Sequence, residues 1–557
     1  MTIADEPRVD GAAVDLVVDL REPAERPSAR SRRTGAVVLA VAVLVPLLLF
    51  GWRAMRAPVN FDGAMNLQVA ARLADGEGYT RNYGDVQEFP HEVQTNGPYV
   101  YAAAVGIKAL GHGQLGYQSA NLLYIAGFAA AVALLLREGN RSGRDKADVS
   151  AHALQVVGPA LVLLGVPSIG VYALGGLGEV PTTFFLLVAV LAVAGALRSI
   201  ERAPRWVFGA SVAFGAALAT KTFAVGATVA LAAGLVAVLV TVPTRRARAQ
   251  VLLATAGTAL VPAVRELHKL ASLGSLGEYR AWWTVERNAA SEQSGLEETG
   301  GGLVRTFLDH THVLSDLVDF PAELLVVVLF LPLVWVGVVL VGRWRADGLR
   351  PTLSDPHVAV LVMLAGLAGL YIGWWLCLVP ESKLWVRRML PGLLALHVLY
   401  LFMVPSLVDV VRRARLRPAG AVAIAALGLA AVVVAAVPYG WDRVDHNTRD
   451  LVEGEDEWLE ADRDAAADIR ADEDHRWYGA GWWSAPAVSL MARTDLRDLS
   501  DVERCDLDPD RDRLVWDLDA RSVAGSPSTR DSIFTFTQVA NYGGYVQVYA
   551  VGCRSDG

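Results

Sequence analysis

The sequence predicts an α-helical membrane protein with many spans and a small C-terminal α/β domain. Three observations predict it. Of 557 residues, 53% are hydrophobic and the mean hydropathy is +0.36, which is more apolar than a soluble chain of this length. Apolar stretches near 35–52, 116–136, 151–172, 180–198, 206–220, 223–242, 250–266, 319–342, 358–379, 386–410 and 419–438 mostly reach the roughly 20 residues needed to cross the hydrocarbon core. Charge is also partitioned. Residues 441–557 hold 26 acidic and 13 basic residues, whereas the net charge of the whole chain is only −8. The chain therefore divides into a polar, disordered segment at 1–34, a membrane body at 35–440 and an acidic domain at 441–557. The basic residues sit in short clusters between apolar runs, a pattern that excludes nucleic acid as a partner.

Orientation follows from those clusters. Arg30, Arg32 and Arg33 precede the first span, and Arg137, Arg141, Arg144 and Lys146 follow the second. Further clusters follow the fourth, sixth, eighth and tenth spans, at Arg198–Arg205, Arg245–Arg248, Arg343–Arg350 and Arg412–Arg417. With roughly eleven spans all of these fall on one side, which the positive-inside rule makes cytoplasmic. The N-terminus is then cytoplasmic and the acidic domain extracytoplasmic. The agreement requires Tyr99–Leu110, an apolar stretch of only about a dozen residues, to stay out of the bilayer as an interfacial helix. Ala64–Leu73 is a second amphipathic stretch of that kind, so the loop from Arg53 to Leu115 lies outside, against the membrane. The other large outer loop, about 267–318, is rich in Gly, Glu and Ser around 291–302 and is expected to be mobile.

The acidic domain begins with a helical pattern through Ile469, continues through a Trp-rich turn at Gly479–Pro486, and ends in strand-like segments at Ser532–Gln538 and Gly544–Val551. Trp477, Trp482 and Trp483 suit either a core or a sugar-stacking surface. Cys505 and Cys553 lie in this domain, where an oxidising compartment would allow them to pair, whereas Cys377 lies in an apolar run.

Ionisable groups at the edge of a membrane body are costly and call for a reason. On the outer side they form one set. Asp62, Glu88, His91 and Glu92 lie in the first loop, Glu179 between the third and fourth spans, Lys221 between the fifth and sixth, and Glu381, Lys383, Arg387 and Arg388 at the start of the tenth.

The stretches FDGAMNLQVAARLADGEGYT (61–80) and EFPHEVQTNGPYVYAAAVGIKALG (88–111) resemble the first outer loop of membrane glycosyltransferases with the GT-C fold, the superfamily of the protein mannosyltransferases and aminoarabinose transferases. In that family an acidic residue follows the first span, then come a helix, a Pro-containing turn and a juxtamembrane helix. GLGEVPTTFF (176–185), ALATKTFAVG (217–226) and VRRMLPGLLAL (386–396) resemble its later segments in order. The resemblance spans most of 35–410. It implies transfer of a hexosyl or pentosyl unit from a polyprenyl-phosphate donor to an envelope glycan, lipid or protein at the outer face of the cell membrane, in cell-wall biogenesis.

That chemistry suits these residue types. A lipid-linked phosphate is a good leaving group without a general acid, so one carboxylate acting as base on the acceptor hydroxyl suffices for an inverting displacement. Asp62 is the candidate base; its alternative role is to cap the helix that follows it. Lys221, Arg387 and Arg388 are candidates for the donor phosphate, although such an Arg pair also reaches for lipid headgroups. Glu179 orients acceptor or lysine, or complements a helix dipole. His91 and Glu92 contact the acceptor, bind a metal or sit in a solvated turn. Asp62 is followed by Gly63 and Ala64, so the acidic pair that binds a metal in some branches is missing, and no cofactor is expected. The rival reading is a lipid or sugar flippase, which would place its polar groups near the bilayer midplane, between related halves.

Overall fold

The computed structural model describes residues 29–553 apart from 60, 82, 84–87, 91–94, 142–148, 295–301, 380–383, 415–425, 454–455, 481–483, 500–501, 503–505 and 518–533. Among the described residues, nine helices are long and apolar enough to cross a bilayer. The chain is a multi-pass membrane protein.

α1 (Ala29–Ala54) contains the first expected span and packs against α4 (Gln114–Arg141) and α5 (Val149–Leu164). Between α1 and α4 lie α2 (Phe61–Asp75) and α3 (Pro98–Leu110), the two helices expected in the first loop. The third expected span, 151–172, is broken. α5 stops at Leu164 and a short α6 (Ile169–Leu174) resumes after it. Pro167 disfavours a helical residue before it and removes a backbone donor, and Ser168 turns at a φ of 53°.

α7 (Glu179–Arg198) is the centre of the bundle. It contacts α4, α8 (Ala203–Thr220), α9 (Thr228–Thr241), α16 (Pro356–Leu378) and α17 (Leu390–Ala414). It is apolar on all faces, as a helix surrounded by other helices must be. α10 (Arg245–Ala254) and α11 (Leu260–Leu273) form one span, joined by a 3-10 turn.

The outer loop expected at 267–318 is largely helical. α11 runs to Leu273, and α12 (Leu276–Ser294) and α13 (Leu303–Val318) follow. The reason is amphipathic spacing: α13 buries His310, Thr311, Leu314 and Val318 on one face and exposes Val304, Leu308 and Leu317 on another. Much of the Gly-rich stretch around 291–302 lies outside the described residues. α14 (Ala322–Asp347), the short α15 (Leu349–Ser354), α16 and α17 complete the long spans before the tail.

A last apolar helix begins at Ala426 and runs through a π-turn into α18 (Val437–Glu453). Residue 441, where composition changes, therefore lies inside a helix. Within α18, Asn447 Nδ2 donates to the carbonyls of Leu164 (2.6 Å) and Val166 (2.7 Å). These carbonyls are left over by the break after α5, so the tail begins by satisfying a fault in the membrane body.

The tail continues with α19 (Asp456–Ala471), β1 (Arg476–Ala480), α20 (Ser484–Ala492), β2 (Arg497–Asp498), β3 (Asp512–Asp517), β4 (Phe534–Tyr542) and β5 (Val546–Cys553). The strands make one sheet in the order β2-β1-β3-β5-β4. β1 is parallel to β2 and β3, and β5 is antiparallel to β3 and β4. Trp477 is buried in the tail core, whereas Trp482 and Trp483 lie outside the described residues. Cys553 is disulfide-bonded and Cys377 is free; Cys505 itself is not among the described residues.

The loop before α3 lies on the end of α8. Asn96 N donates to Thr220 O (3.1 Å), and Gly97 sits at a φ of 51° with only 2.8 Å between an added Cβ and the Ala219 carbonyl oxygen. Backbone is on both sides of that gap, so neither side yields easily. Gly97→Ala is expected to destabilise the protein by about 1–3 kcal/mol, measured as a lower unfolding temperature in detergent.

Candidate functional site

α2 begins at Phe61, so Asp62 stands in the first helical turn rather than capping a helix that starts later. Its carboxylate accepts a hydrogen bond from Arg387 Nη1. Arg387 lies in a 3-10 turn, Val386–Met389, that leads into α17. The two residues are 325 apart in sequence, so this pair joins the first outer loop to the tenth expected span.

A second pair lies beside the first. Lys221 ends α8 and points its Nζ to within 3.4 Å of Glu179 Oε1, at the start of α7. Both residues are buried, with 6% and 1% of their surfaces exposed. Lys221 also interacts electrostatically with Arg387 and Asp62, and Glu179 with Arg387. The four groups therefore form one cluster of alternating charge. Glu179 Oε2 has no hydrogen-bond partner among the described residues.

Arg388 follows Arg387, and both guanidinium groups lie over the ring of Trp385, at 4.6 Å and 5.0 Å from its centroid. Trp385 is 45% exposed. Its backbone oxygen accepts from Trp375 Nε1 (3.2 Å) in α16. An aromatic face attracts a cation at such distances, so Trp385 gathers the two arginines on an accessible surface. Sequence reading passed over this residue, although a Trp two positions before an Arg pair is a visible signal.

Neutral hydrogen bonds hold the elements that carry the charges. Asn66, one turn after Asp62 in α2, donates to Gly176 O (2.7 Å) and accepts from Thr95 N (3.3 Å). Thr95 Oγ1 donates to Leu177 O (2.6 Å). Gly176 has a φ of 74°, and an added Cβ would stand 3.0 Å from the Gly63 Cα. The turn that launches Glu179 thus packs directly on the turn that presents Asp62. Asn66 was also missed; its signal is a polar residue four positions from Asp62, on the same helix face. Nearby, Tyr79 donates to Asn96 Oδ1 (2.8 Å), and burial holds its phenol well above the usual range, so it remains a donor.

The structure brings Asp62, Glu179, Lys221, Arg387 and Arg388 to one end of the helical bundle. Glu88 pairs by backbone with Thr80 in a small bridge of the first loop. His91, Glu92, Glu381 and Lys383 lie outside the described residues. No group of three or more His, Cys, Asp or Glu side chains suited to a metal occurs among the described residues.

Removing one partner from the buried Lys221–Glu179 pair leaves the other charge desolvated, at a cost of about 3–5 kcal/mol. Glu179→Gln and Lys221→Met are each expected to lower the unfolding temperature markedly. The double variant should recover most of the loss, a non-additivity that a double-mutant cycle reads directly.

No protein-family model matches the sequence, and no curated protein is similar to it. Solved structures are similar in fold. ArnT from Cupriavidus metallidurans bound to undecaprenyl phosphate superposes with a TM-score of 0.53 and 14% identity, over 94% of this chain and 98% of that one. The apo state of the same protein gives 0.50 and 15%, over 93% and 98%. The likeness shows the fold, which is the GT-C architecture expected from the loop motifs.

Proposed function

We propose that the protein is a membrane glycosyltransferase that moves a sugar from a polyprenyl-phosphate-linked donor to a cell-envelope acceptor on the extracytoplasmic face, with inversion. The observation that carries the reading is the joining of Asp62 to Arg387 beside the buried Lys221–Glu179 pair. A carboxylate suited to act as base and cations suited to a phosphate meet at one end of a GT-C-fold bundle. The fold's similarity to a protein bound to undecaprenyl phosphate supports a lipid phosphate as the carrier. The placement of the ionisable groups at span ends, rather than within the bilayer's middle, favours transfer over transport.

The reaction divides simply among the residues. The acceptor hydroxyl loses its proton to Asp62 as its oxygen bonds to the anomeric carbon. The bond from that carbon to the phosphate oxygen breaks, and polyprenyl phosphate leaves with the electron pair. Negative charge grows on the leaving phosphate, where Arg387 and Arg388 stabilise it and Lys221 contributes at longer range. A guanidinium has five N–H donors. Arg387 can therefore hold Asp62 with one N–H and offer its remaining donors to the phosphate. Glu179 keeps Lys221 in place, and its second oxygen is available to a substrate hydroxyl. In this reading His91 and Glu92 belong to the acceptor side, and the sugar is a hexose or a pentose. The extracytoplasmic placement of the site rests on the basic clusters of the opposite loops and agrees with a disulfide-bonded tail.

Asp62→Asn is expected to lower transfer per folded molecule at least ~100-fold, the smaller end of what a general base contributes, and to lower the unfolding temperature as well, because Arg387 loses its charged partner. Transfer is measured in membranes supplied with lipid-linked sugars extracted from the source cells; full activity would remove Asp62 from the role of base. Arg387→Gln is expected to weaken binding of undecaprenyl phosphate to the purified protein at least ~10-fold, as loss of a charge-assisted contact implies. Titration by intrinsic tryptophan fluorescence reads it, with Trp385 as the nearest reporter.

A further inference from the structure

The helix that presents Asp62 is held by the tail along one face. Phe61, Met65, Gln68, Arg72 and Asp75 recur at spacings of four and three, so they form a single stripe on α2. Each meets the tail or the loop that joins it. Phe61 packs edge-on against Tyr83, with ring centroids 6.4 Å apart, and both belong with Met65 to the hydrophobic cluster of the tail. Gln68 Nε2 donates to Pro486 O (2.9 Å). Arg72 Nη1 lies 3.5 Å from Asp495, and Asp75 lies 3.2 Å from Arg493. Tyr83 itself pairs in parallel with Leu496, immediately before β2, so the first outer loop joins the edge of the tail sheet. The other side of α2, with Ala64, Leu67 and Ala74, packs in a cluster with α3.

Asp62 follows Phe61 by one residue, about 100° round the helix. The rotation of α2 therefore sets the direction of the Asp62 carboxylate. That rotation is fixed at four points by the tail and at a fifth through Tyr83 of the loop that joins it. We propose that the C-terminal domain is a positioning element of the catalytic site. It clamps α2 so that Asp62 faces Arg387, with Tyr83 and Phe61 as the residues through which the tail acts. The proposal rests on the reading of Asp62 as the base.

Gly479 in β1 is the point at which the clamp is adjusted. A Cβ added there would stand 2.5 Å from Tyr83 Cε2 and 3.2 Å from the Ala485 Cβ. Ala485 and Val488 are buried in the same cluster, so the tyrosine ring is the part that shifts, and Phe61, which packs on it, follows. A displacement of about 1 Å at a reacting group can cost on the order of 100-fold in rate.

The test uses the full-length protein in lipid nanodiscs, with lipid-linked sugars extracted from the source membranes as donor. Gly479→Ala is expected to lower kcat at least tenfold while the donor KM stays within twofold and the unfolding temperature within a few degrees. Val539→Ala, at an exposed position on β4, is the control and should leave both constants unchanged. A second measurement does not need catalysis. In a Cys377→Ser background, the thiol of Asp62→Cys is modified with a membrane-impermeant maleimide, and adding Gly479→Ala should change that rate at least threefold. The clamp is overturned if kcat and thiol reactivity both stay within twofold. It is equally overturned if activity falls only in proportion to folded protein. Full activity of Asp62→Asn would instead sink the assignment of the base, while the thiol measurement would still report whether the tail orients α2.

Discussion

Charges at the edge of a bilayer do not stand alone, and the arrangement of this protein depends on that constraint. Desolvating an ion costs several kcal/mol unless a partner of opposite sign is close. Lys221 and Glu179 are both buried and meet each other, and Asp62 meets Arg387. Each pair joins segments that are distant in sequence. The starts of α2, α7 and α17 and the end of α8 are thereby brought together at one end of the bundle. The helical body supplies the long spans, but these two pairs decide where the polar loops come to rest.

Neutral contacts complete what the charges begin. The loop at 95–97 is wedged between the start of α7 and the end of α8 through Thr95, Asn96 and Gly97. Asn66 ties the same loop to α2 and to Gly176. Gly97 and Gly176 are needed there for two reasons at once, a positive φ and a close approach of backbone to backbone. A cluster of five ionisable groups would otherwise find many arrangements of similar energy. These directional bonds, made away from water, select one.

Much of this was legible because single residues departed from their surroundings. An Asp after an apolar run, a Glu after a Gly-rich turn, a Lys inside an apolar hairpin and an Arg pair opening a span each stand out in sequence. The pairing of Asp62 with Arg387 and of Glu179 with Lys221 was not legible, since nothing local says which acid meets which base. The helices α2 and α3 were found because amphipathic spacing is local. α12 and α13 were passed over because Gly, Glu and Ser between them masked two helical patterns on either side. The break at Pro167 was hidden by unbroken hydropathy, although proline alone marks it. The stripe of Phe61, Met65, Gln68, Arg72 and Asp75 was visible as a spacing, but its partner lies some four hundred residues away. Trp385 and Asn66 were missed because an aromatic and an amide carry no formal charge.

The charge count of the site bears on the chemistry it suits. With Asp62 and Glu179 ionised and Lys221, Arg387 and Arg388 protonated, these five described side chains sum to a single positive charge. A polyprenyl-phosphate sugar is a phosphodiester with one negative charge, so the donor complex is neutral at this centre. In the proposed transfer Asp62 takes the acceptor proton, and the centre rises to two positive charges. The departing polyprenyl phosphate gains a second negative charge at the same moment, for a phosphate monoester whose second pKa lies near 6. The electrostatic balance is thus kept from donor to product without a metal in the sum. What changes is its distribution. Positive charge that faced Asp62 is turned to the phosphate, and the strongest attraction develops only as the bond breaks, which is when a contact accelerates a reaction rather than merely binding its substrate. In the proposed transfer the Asp62–Arg387 pair therefore weakens as Asp62 is protonated and frees its cation for the leaving group.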